Sequence, residues 1–180
     1  EGFVPIFFEE SNVIIKEWKD KTEIDMAKEM MRLTFRIVGR ALFSAKLDED
    51  AHIIDRSVGI ALEGVIKRIQ SIIKIPLYIP TGANLKLKKA VRDMDVVVNK
   101  IISNRIQSKE RVKDLLDTLI YARDEETGQG LSPKQIRDEV ITFLLAGHET
   151  TSNALTWTFY LLSEHPEIRR KVIEEVRSNI

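Results

Sequence analysis

The chain has 180 residues, of which 43% are hydrophobic and 31% are charged, a composition typical of one soluble globular domain. Its 28 Lys and Arg residues balance 28 Asp and Glu residues, and this zero net charge argues against nucleic-acid binding, which usually needs a basic excess. The sequence contains no cysteine, which excludes disulfides, thiolate metal ligands and thiol nucleophiles within it.

Neither an apolar run of 18 residues nor a signal-peptide pattern occurs in the sequence. We therefore expect no membrane span in this stretch and favour the cytoplasm as its location, while contact with a membrane surface stays open. The first residue is Glu1, and helical patterns reach both ends of the chain. These ends predict a single helical domain over residues 1–180 that is an internal segment of a larger domain.

Apolar residues recur every three to four positions along most of the chain, and this spacing predicts helices and no strand. Thr22 is the expected cap of the second helix, and the acids Asp48, Glu49 and Asp50 favour the start of the third, because acids suit the positive end of a helix dipole. An exposed loop is expected at 124–130. The expected helices cover residues 1–20, 22–46, 48–69, 84–107, 112–119, 132–164 and 166 onward.

Residues 72–82 break the helical pattern. Pro76 and Pro80 bracket an apolar, aromatic stretch, and Thr81-Gly82 is typical of a turn. One interpretation is a loop that lies on the core. The alternatives are a mobile lid over an apolar pocket or a patch that touches a membrane.

The longest predicted helix has a clear beginning. Ser132 can cap it, Pro133 suits the first helical position, and Gln135 completes a capping box. Apart from Gly147, no helix breaker follows before Pro166, so we expect about 30 residues and a length of about 45 Å. The predicted fold class is therefore all-α, with several helices packed around one long central helix at 132–164.

The middle of this helix, residues 144–152, places polar side chains and a glycine between two apolar runs. On a helical projection, four polar residues fall within about 60° of Ala146 and form a stripe: Thr142, Glu149, Thr150 and Asn153. Thr150 can bond back to the carbonyl of Ala146, and with Gly147 nearby this favours a local bend or bulge. Glu149 beside Thr150 is an acid beside an alcohol, a pair that could relay protons into a dry cavity.

A simpler alternative is that Glu149 and His148 face solvent or pair locally, while the threonines only fill space. A zinc site is not predicted, because the H-E-x-x-H motif needs a second histidine where Ser152 stands. The three histidines of the chain are scattered, and we expect no metal ligand among its residues.

The centre of the long helix reads Ala146-Gly147-His148-Glu149-Thr150-Thr151. This motif resembles the central-helix motif of the cytochrome P450 family, the haem-thiolate monooxygenases. The similarity continues to the end of the chain, and the order of the preceding helices is also similar. The chain resembles the middle of that fold, from the fourth lettered helix to the tenth.

The resemblance implies a haem b cofactor, O₂, an apolar small-molecule substrate, and a redox partner that carries flavin or an iron–sulfur cluster. Ala146, Gly147 and Thr150 would contact the haem. Thr150 and Glu149 would be the catalytic residues that deliver protons to iron-bound oxygen. Phe143 and Ala146 would border the substrate pocket.

One part of the family pattern is missing. The family holds its iron with a cysteine thiolate, and this chain has no cysteine. The resemblance also implies that residues 49–107 form a helix–loop–helix lid. We expect the whole protein to be an oxidoreductase and this chain alone to be inactive. The alternatives are a non-catalytic helical domain that binds a ligand or another chain, and an unrelated helical protein with a chance motif.

Overall fold

The computed structural model describes residues 2–47, 50–72, 75–109 and 111–179. No β-strand forms within these ranges, where extended backbone pairs only in an isolated bridge between Arg123 and Gly130. The all-α prediction is confirmed. Seven helices occupy the described ranges: α1 (Val4–Trp18), α2 (Met26–Phe43), α3 (Ala51–Gln70), α4 (Gly82–Ser108), α5 (Leu115–Tyr121), α6 (Pro133–Glu164) and α7 (Pro166–Asn179).

The second helix is shorter than predicted at both ends. Asp25, and not Thr22, caps α2, and its carboxylate accepts the backbone N–H of Lys28 at 3.2 Å. Aspartate is the stronger of the two capping residues, which explains the later start. At the other end Ser44 adopts a left-handed conformation with φ of 47°, and its N–H bonds to Arg40 O.

The start of α3 is described only in part. Asp48 and Glu49, where the third helix was expected to begin, lie outside the described residues. Asp50 is the N-cap residue of α3, and its carboxylate pairs with Lys100 of α4 at 3.0 Å. This ion pair links α3 to α4, the helix that runs along it.

The linker between α3 and α4 is a surface turn. Its residues Ile73 and Lys74 lie outside the described part. The side-chain amide of Asn84 donates to the carbonyl oxygens of Pro76 and Ile79, both at 2.9 Å, and holds the turn closed. Tyr78 is 79% exposed, so in this chain the turn points outward and does not lie on the core.

The central helix α6 begins as predicted. Gln135 N donates to Ser132 Oγ at 3.3 Å, and Ser132 N donates back to Gln135 Oε1 at 2.9 Å, which completes the capping box. The helix has 32 residues, all α-helical, so the bulge predicted beside Gly147 does not form. Thr150 does bond back to Ala146, but its hydroxyl shares that carbonyl with the helix backbone instead of displacing it.

The core lies where α6 meets α2. The buried face of α6 repeats every four residues and consists of Ile136, Val140, Leu144, His148 and Ser152. It packs against buried side chains of α2 such as Phe35 and Val38. This face holds α6 against α2, and the opposite face of α6 takes no part in that contact. Across the part of the chain that the structure describes, no helix is both long and apolar enough to span a lipid bilayer.

Candidate functional site

The middle of α6 has two faces with different surroundings. Leu144, His148 and Ser152 point into the core against α2. On the other side five residues are exposed: Thr142, Phe143, Ala146, Thr150 and Asn153. We call these five residues the open face. Glu149 lies at its edge and is half-buried. The stripe predicted by helical projection therefore lies on the side of α6 that is turned away from α2 and is exposed among the described residues.

His148 is buried, contrary to the simpler alternative that placed it in solvent. It is 1% exposed, and its ring meets the Phe35 ring edge-on, with centroids 5.3 Å apart. Thr34 Oγ lies 3.1 Å from the His148 carbonyl oxygen and 3.0 Å from the Met30 carbonyl oxygen, so its one hydroxyl hydrogen is shared between the two helices. Its burial follows from position: His148 continues the spacing of four that Val140 and Leu144 begin, and this pattern could have placed it in the core from the sequence.

Gly147 faces α2 as well. A Cβ atom at this position would lie 2.9 Å from Val38 Cγ2, closer than carbon atoms normally approach. Its neighbour Ala146 belongs to the open face. The structure thus separates the two small residues that were expected to contact one ligand: Ala146 borders open space, and Gly147 makes room for α2.

Thr150 has its hydroxyl hydrogen engaged. Its Oγ donates to the Ala146 carbonyl at 2.7 Å, which confirms the predicted back-bond. A hydroxyl has one hydrogen and two lone pairs. The lone pairs of Thr150 therefore remain as acceptors on the open face, and the hydroxyl can donate outward only if it gives up the bond to Ala146.

Glu149 precedes Thr150 in the sequence and lies about 100° from it around α6. Its backbone carbonyl accepts the hydroxyl of buried Ser152 at 2.9 Å. No side chain among the described residues bonds its carboxylate, which leaves the oxygens of Glu149 available for a proton donor or a water molecule. Glu149 and Thr150 are thus an acid at the edge of the open face and an alcohol on it, groups of the kinds that take part in proton transfer.

A buried ion-pair cluster joins α1 to α2. Glu10 of α1 accepts hydrogen bonds from Arg36 and Arg40 of α2, and its side chain is only 4% exposed. Burial on its own raises the pKa of Glu10, but the bonds from Arg40 and Arg36 outweigh it and hold the pKa below its ordinary value. The cluster holds α2 in position, and α2 supports the face of α6 that lies opposite the open face.

A second cluster joins α4 to α5 and to the end of α2. The guanidinium of Arg105 donates to both carboxylate oxygens of Asp114, at 2.8 and 2.7 Å, and to the carbonyl of Phe43 at 2.9 Å. Burial raises the pKa of Asp114, yet the Arg105 bonds and the N–H of Asp117 bring it below its ordinary value. Together the two clusters hold the C-terminal half of α2, from Arg36 to Phe43.

The open face suits a flat apolar group better than a metal ion. Ala146 leaves space for close approach, Phe143 offers an apolar edge, and Thr150 offers hydroxyl lone pairs. Among the described residues, no three side chains of His, Asp or Glu come together in a way that could hold a metal ion. The arrangement leaves a small and partly apolar surface in the middle of α6.

Comparison with known proteins gives a match along the whole sequence. The family model described as Cytochrome P450 matches residues 1–180. The chain is 33% identical, over 93% of its length, to a cyclooctat-9-en-7-ol 5-monooxygenase of Streptomyces melanosporofaciens. It is 34% identical, over 88% of its length, to a pentalenene oxygenase of Streptomyces avermitilis. It is 31% identical, over 97% of its length, to a bifunctional cytochrome P450/NADPH–P450 reductase of Bacillus subtilis.

The chain spans only part of these relatives. The matched region is 37% of the Streptomyces melanosporofaciens protein, 35% of the Streptomyces avermitilis protein and 17% of the Bacillus subtilis protein. A match over the whole chain removes the alternative of an unrelated helical protein with a chance motif.

Proposed function

This chain belongs to the cytochrome P450 family, and we propose that it is an internal segment of a haem-dependent monooxygenase domain. In this proposal the segment supplies the helix that faces dioxygen, and the rest of the domain supplies the cysteine that holds the iron. One observation carries the proposal. The open face of α6 lies opposite the face packed on α2, and it holds Ala146 and Thr150 of the family motif.

Family membership implies a haem cofactor, and in this proposal it lies against the open face. Ala146 would lie against the ring, and the hydroxyl of Thr150 would stand beside it. When bound, the haem supplies the redox chemistry that activates dioxygen. Gly147 belongs to the proposed cofactor-binding set through its backbone only, since the Cβ direction at this position leads to Val38.

The chain's own residues handle protons in this proposal. Thr150 Oγ accepts a hydrogen bond from water on the open face while it donates to the Ala146 carbonyl. Glu149 exchanges protons with that water and so connects the site to solvent. Both residues hold and move protons at atoms that lie within one helical turn.

We propose an apolar substrate, bordered by Phe143 and Ala146. Phe143 is 38% exposed on the open face and offers apolar surface beside the small Ala146. Two relatives are named for the oxidation of cyclooctat-9-en-7-ol and pentalenene. The Bacillus subtilis relative is named as a bifunctional cytochrome P450/NADPH–P450 reductase, which supports a redox partner. We propose that this partner carries flavin or an iron–sulfur cluster.

The test compares the whole protein with the isolated 180-residue chain by visible absorption after reduction and addition of carbon monoxide. We expect a haem Soret band with a thiolate-type carbonyl spectrum from the whole protein and no such spectrum from the isolated chain. A whole protein that purifies without haem, even after reconstitution, would contradict the proposed function. A thiolate-type spectrum from the isolated chain would contradict the assignment of the iron ligand to another segment.

A further inference from the structure

Gly147 and Ala146 are neighbours in sequence, but they lie about 100° apart around α6. A Cβ atom on Gly147 would lie 2.9 Å from Val38 Cγ2 and 3.6 Å from Val38 Cγ1. Val38 cannot easily turn away, because a β-branched side chain in a helix has one strongly preferred rotamer and because Val38 is buried. The backbone of α6 therefore approaches α2 as closely as it does only because residue 147 has no side chain.

Further contacts follow the same line between the two helices. Thr34 Oγ lies 3.1 Å from the His148 carbonyl oxygen, and the His148 ring meets Phe35. The sulfur of Met31 lies 3.0 Å from the oxygen of Ser152, whose hydroxyl hydrogen bonds to the Glu149 carbonyl. Met31, Thr34 and Val38 are spaced by three and four residues, so they share one face of α2.

We propose that Gly147 is a positioning residue: its close contact with Val38 sets the rotation of α6 about its axis and thereby the direction in which Thr150 points. This proposal rests on the proposed function of Thr150. A helix that makes contacts at several points along one face cannot rotate without breaking those contacts. Thr150 lies within one turn of Gly147 on the same rigid helix, so any rotation at Gly147 moves its hydroxyl as well.

Gly147 thereby has a second role beside the proposed contact of its backbone with the cofactor. Its missing side chain serves the α2–α6 contact behind the site, while Ala146 alone provides the small surface in front. A displacement near 1 Å of a group that must meet a reacting atom can cost about 100-fold in rate. Packing between α2 and α6 thus decides whether Thr150 can act.

A double-mutant cycle in the whole, haem-loaded protein tests this proposal. The variants are G147A, V38A and the pair, with T150A as a reference for loss of the hydroxyl. The probe is carbon monoxide bound to the reduced protein, because the C–O stretching band responds to polar groups beside the ligand. The urea midpoint of each variant is measured alongside.

We expect T150A to shift the C–O band, G147A to shift it and lower the urea midpoint, and V38A alone to leave the band in place. The pair should return both values toward the wild type, because removal of the Val38 methyl groups makes room for the new Cβ. A G147A shift that V38A does not reverse would overturn the proposal and assign the glycine to the ligand side. An unchanged band in G147A would overturn it too.

The C–O band tests where Thr150 stands, and the urea midpoint tests the packing of α6 against α2. If T150A leaves the band unchanged, Thr150 does not stand beside the ligand and the proposed function of Thr150 fails. In that case the urea midpoints still test the packing, since recovery of G147A by V38A depends on the Val38 contact alone.

Discussion

The hydroxyl of Thr150 is held by the helix that carries it. Its hydrogen bonds to the Ala146 carbonyl at 2.7 Å, so the oxygen faces outward as an acceptor. The pattern of the sequence predicted this bond, because a threonine in a helix commonly donates to the carbonyl four residues earlier. The same local rule could not reveal which side of α6 would be covered, because that depends on α2, which is more than a hundred residues away in the sequence.

Replacement of Thr150 by alanine removes the hydroxyl and little buried surface. In the whole protein we expect the T150A variant to form product more slowly by on the order of 100-fold, the contribution typical of a proton-transfer group. More of the consumed electrons should then appear as hydrogen peroxide. Product and peroxide per electron are measured with the redox partner present.

The matched control is T150S, which keeps the hydroxyl and should retain most of the product yield. If T150A forms product as efficiently as the wild type, Thr150 has no part in proton transfer. Equal losses in T150A and T150S would assign the effect to the missing methyl group and also contradict the account.

His148 is a buried residue of α6. Its burial was not predicted, although it continues the apolar spacing of α6. In the whole protein we expect His148→Ala to lower the free energy of unfolding by about 3 kcal/mol, because it opens a cavity against Phe35. His165→Ala is the control, since His165 is exposed and its loss should cost less than about 0.5 kcal/mol. Urea unfolding followed by circular dichroism measures both, and similar costs for the two variants would be inconsistent with the packing.

At the scale of helices, the sequence located all seven elements but misplaced some of their ends. The periodic spacing that predicts a helix is local, and so is the capping box that begins α6 at Ser132. The start of α2 was missed because Thr22 and Asp25 are both capping residues, and the choice depends on nearby contacts. Lys21 pairs with Glu29 at 2.9 Å, which holds residues 21–25 against the first turn of α2.

The attachment of α1 to α2 depends on pH through Glu10. Its pKa is lower in the folded chain than the ordinary value of 4.5, so the folded state favours the ionised carboxylate. The contribution of Glu10 to stability is therefore fully present above its ordinary pKa and is lost as the pH falls below 4.5 through the folded pKa. We expect the urea midpoint of the whole protein to fall over this range.

Substitution E10Q tests the origin of that pH dependence. At neutral pH it should lower the free energy of unfolding by about 2 kcal/mol, because the hydrogen bonds from Arg36 and Arg40 lose their charged acceptor. The difference between E10Q and the wild type should shrink as the pH falls below 4.5. Glu9 also pairs with Arg40 but is exposed, so E9Q should change little. A constant difference between E10Q and the wild type from pH 7 to pH 3 would rule out Glu10 as the titrating group.

At the scale of the whole molecule, the apolar surface agrees with a segment of a larger domain. Trp157 is 62% exposed, and large apolar side chains continue from it along one end of the molecule: Phe159, Tyr160, Leu161, Ile168, Val172 and Val176. Exposed apolar patches of this kind usually mark contact surfaces. The sequence predicted these helices but could not show how they would be covered.

The isolated 180-residue chain should therefore be poorly stable on its own. We expect it to bind a fluorescent apolar dye, to self-associate, and to unfold over a broad temperature range. Light scattering and calorimetry measure these properties, and the whole protein serves as the control. A monomer of this chain that unfolds sharply and leaves the dye unbound would contradict the proposal that it is a segment.

The central claim is that the open face of α6 carries Thr150 beside the site where a diatomic ligand binds. Infrared spectra of carbon monoxide on the reduced whole protein test it most directly, with T150A compared with T151A. Thr151 is also exposed but lies about 100° further around the helix. The account predicts that the C–O stretching band shifts in T150A and stays in place in T151A. A band that stays in place in T150A, or shifts equally in both variants, would contradict it.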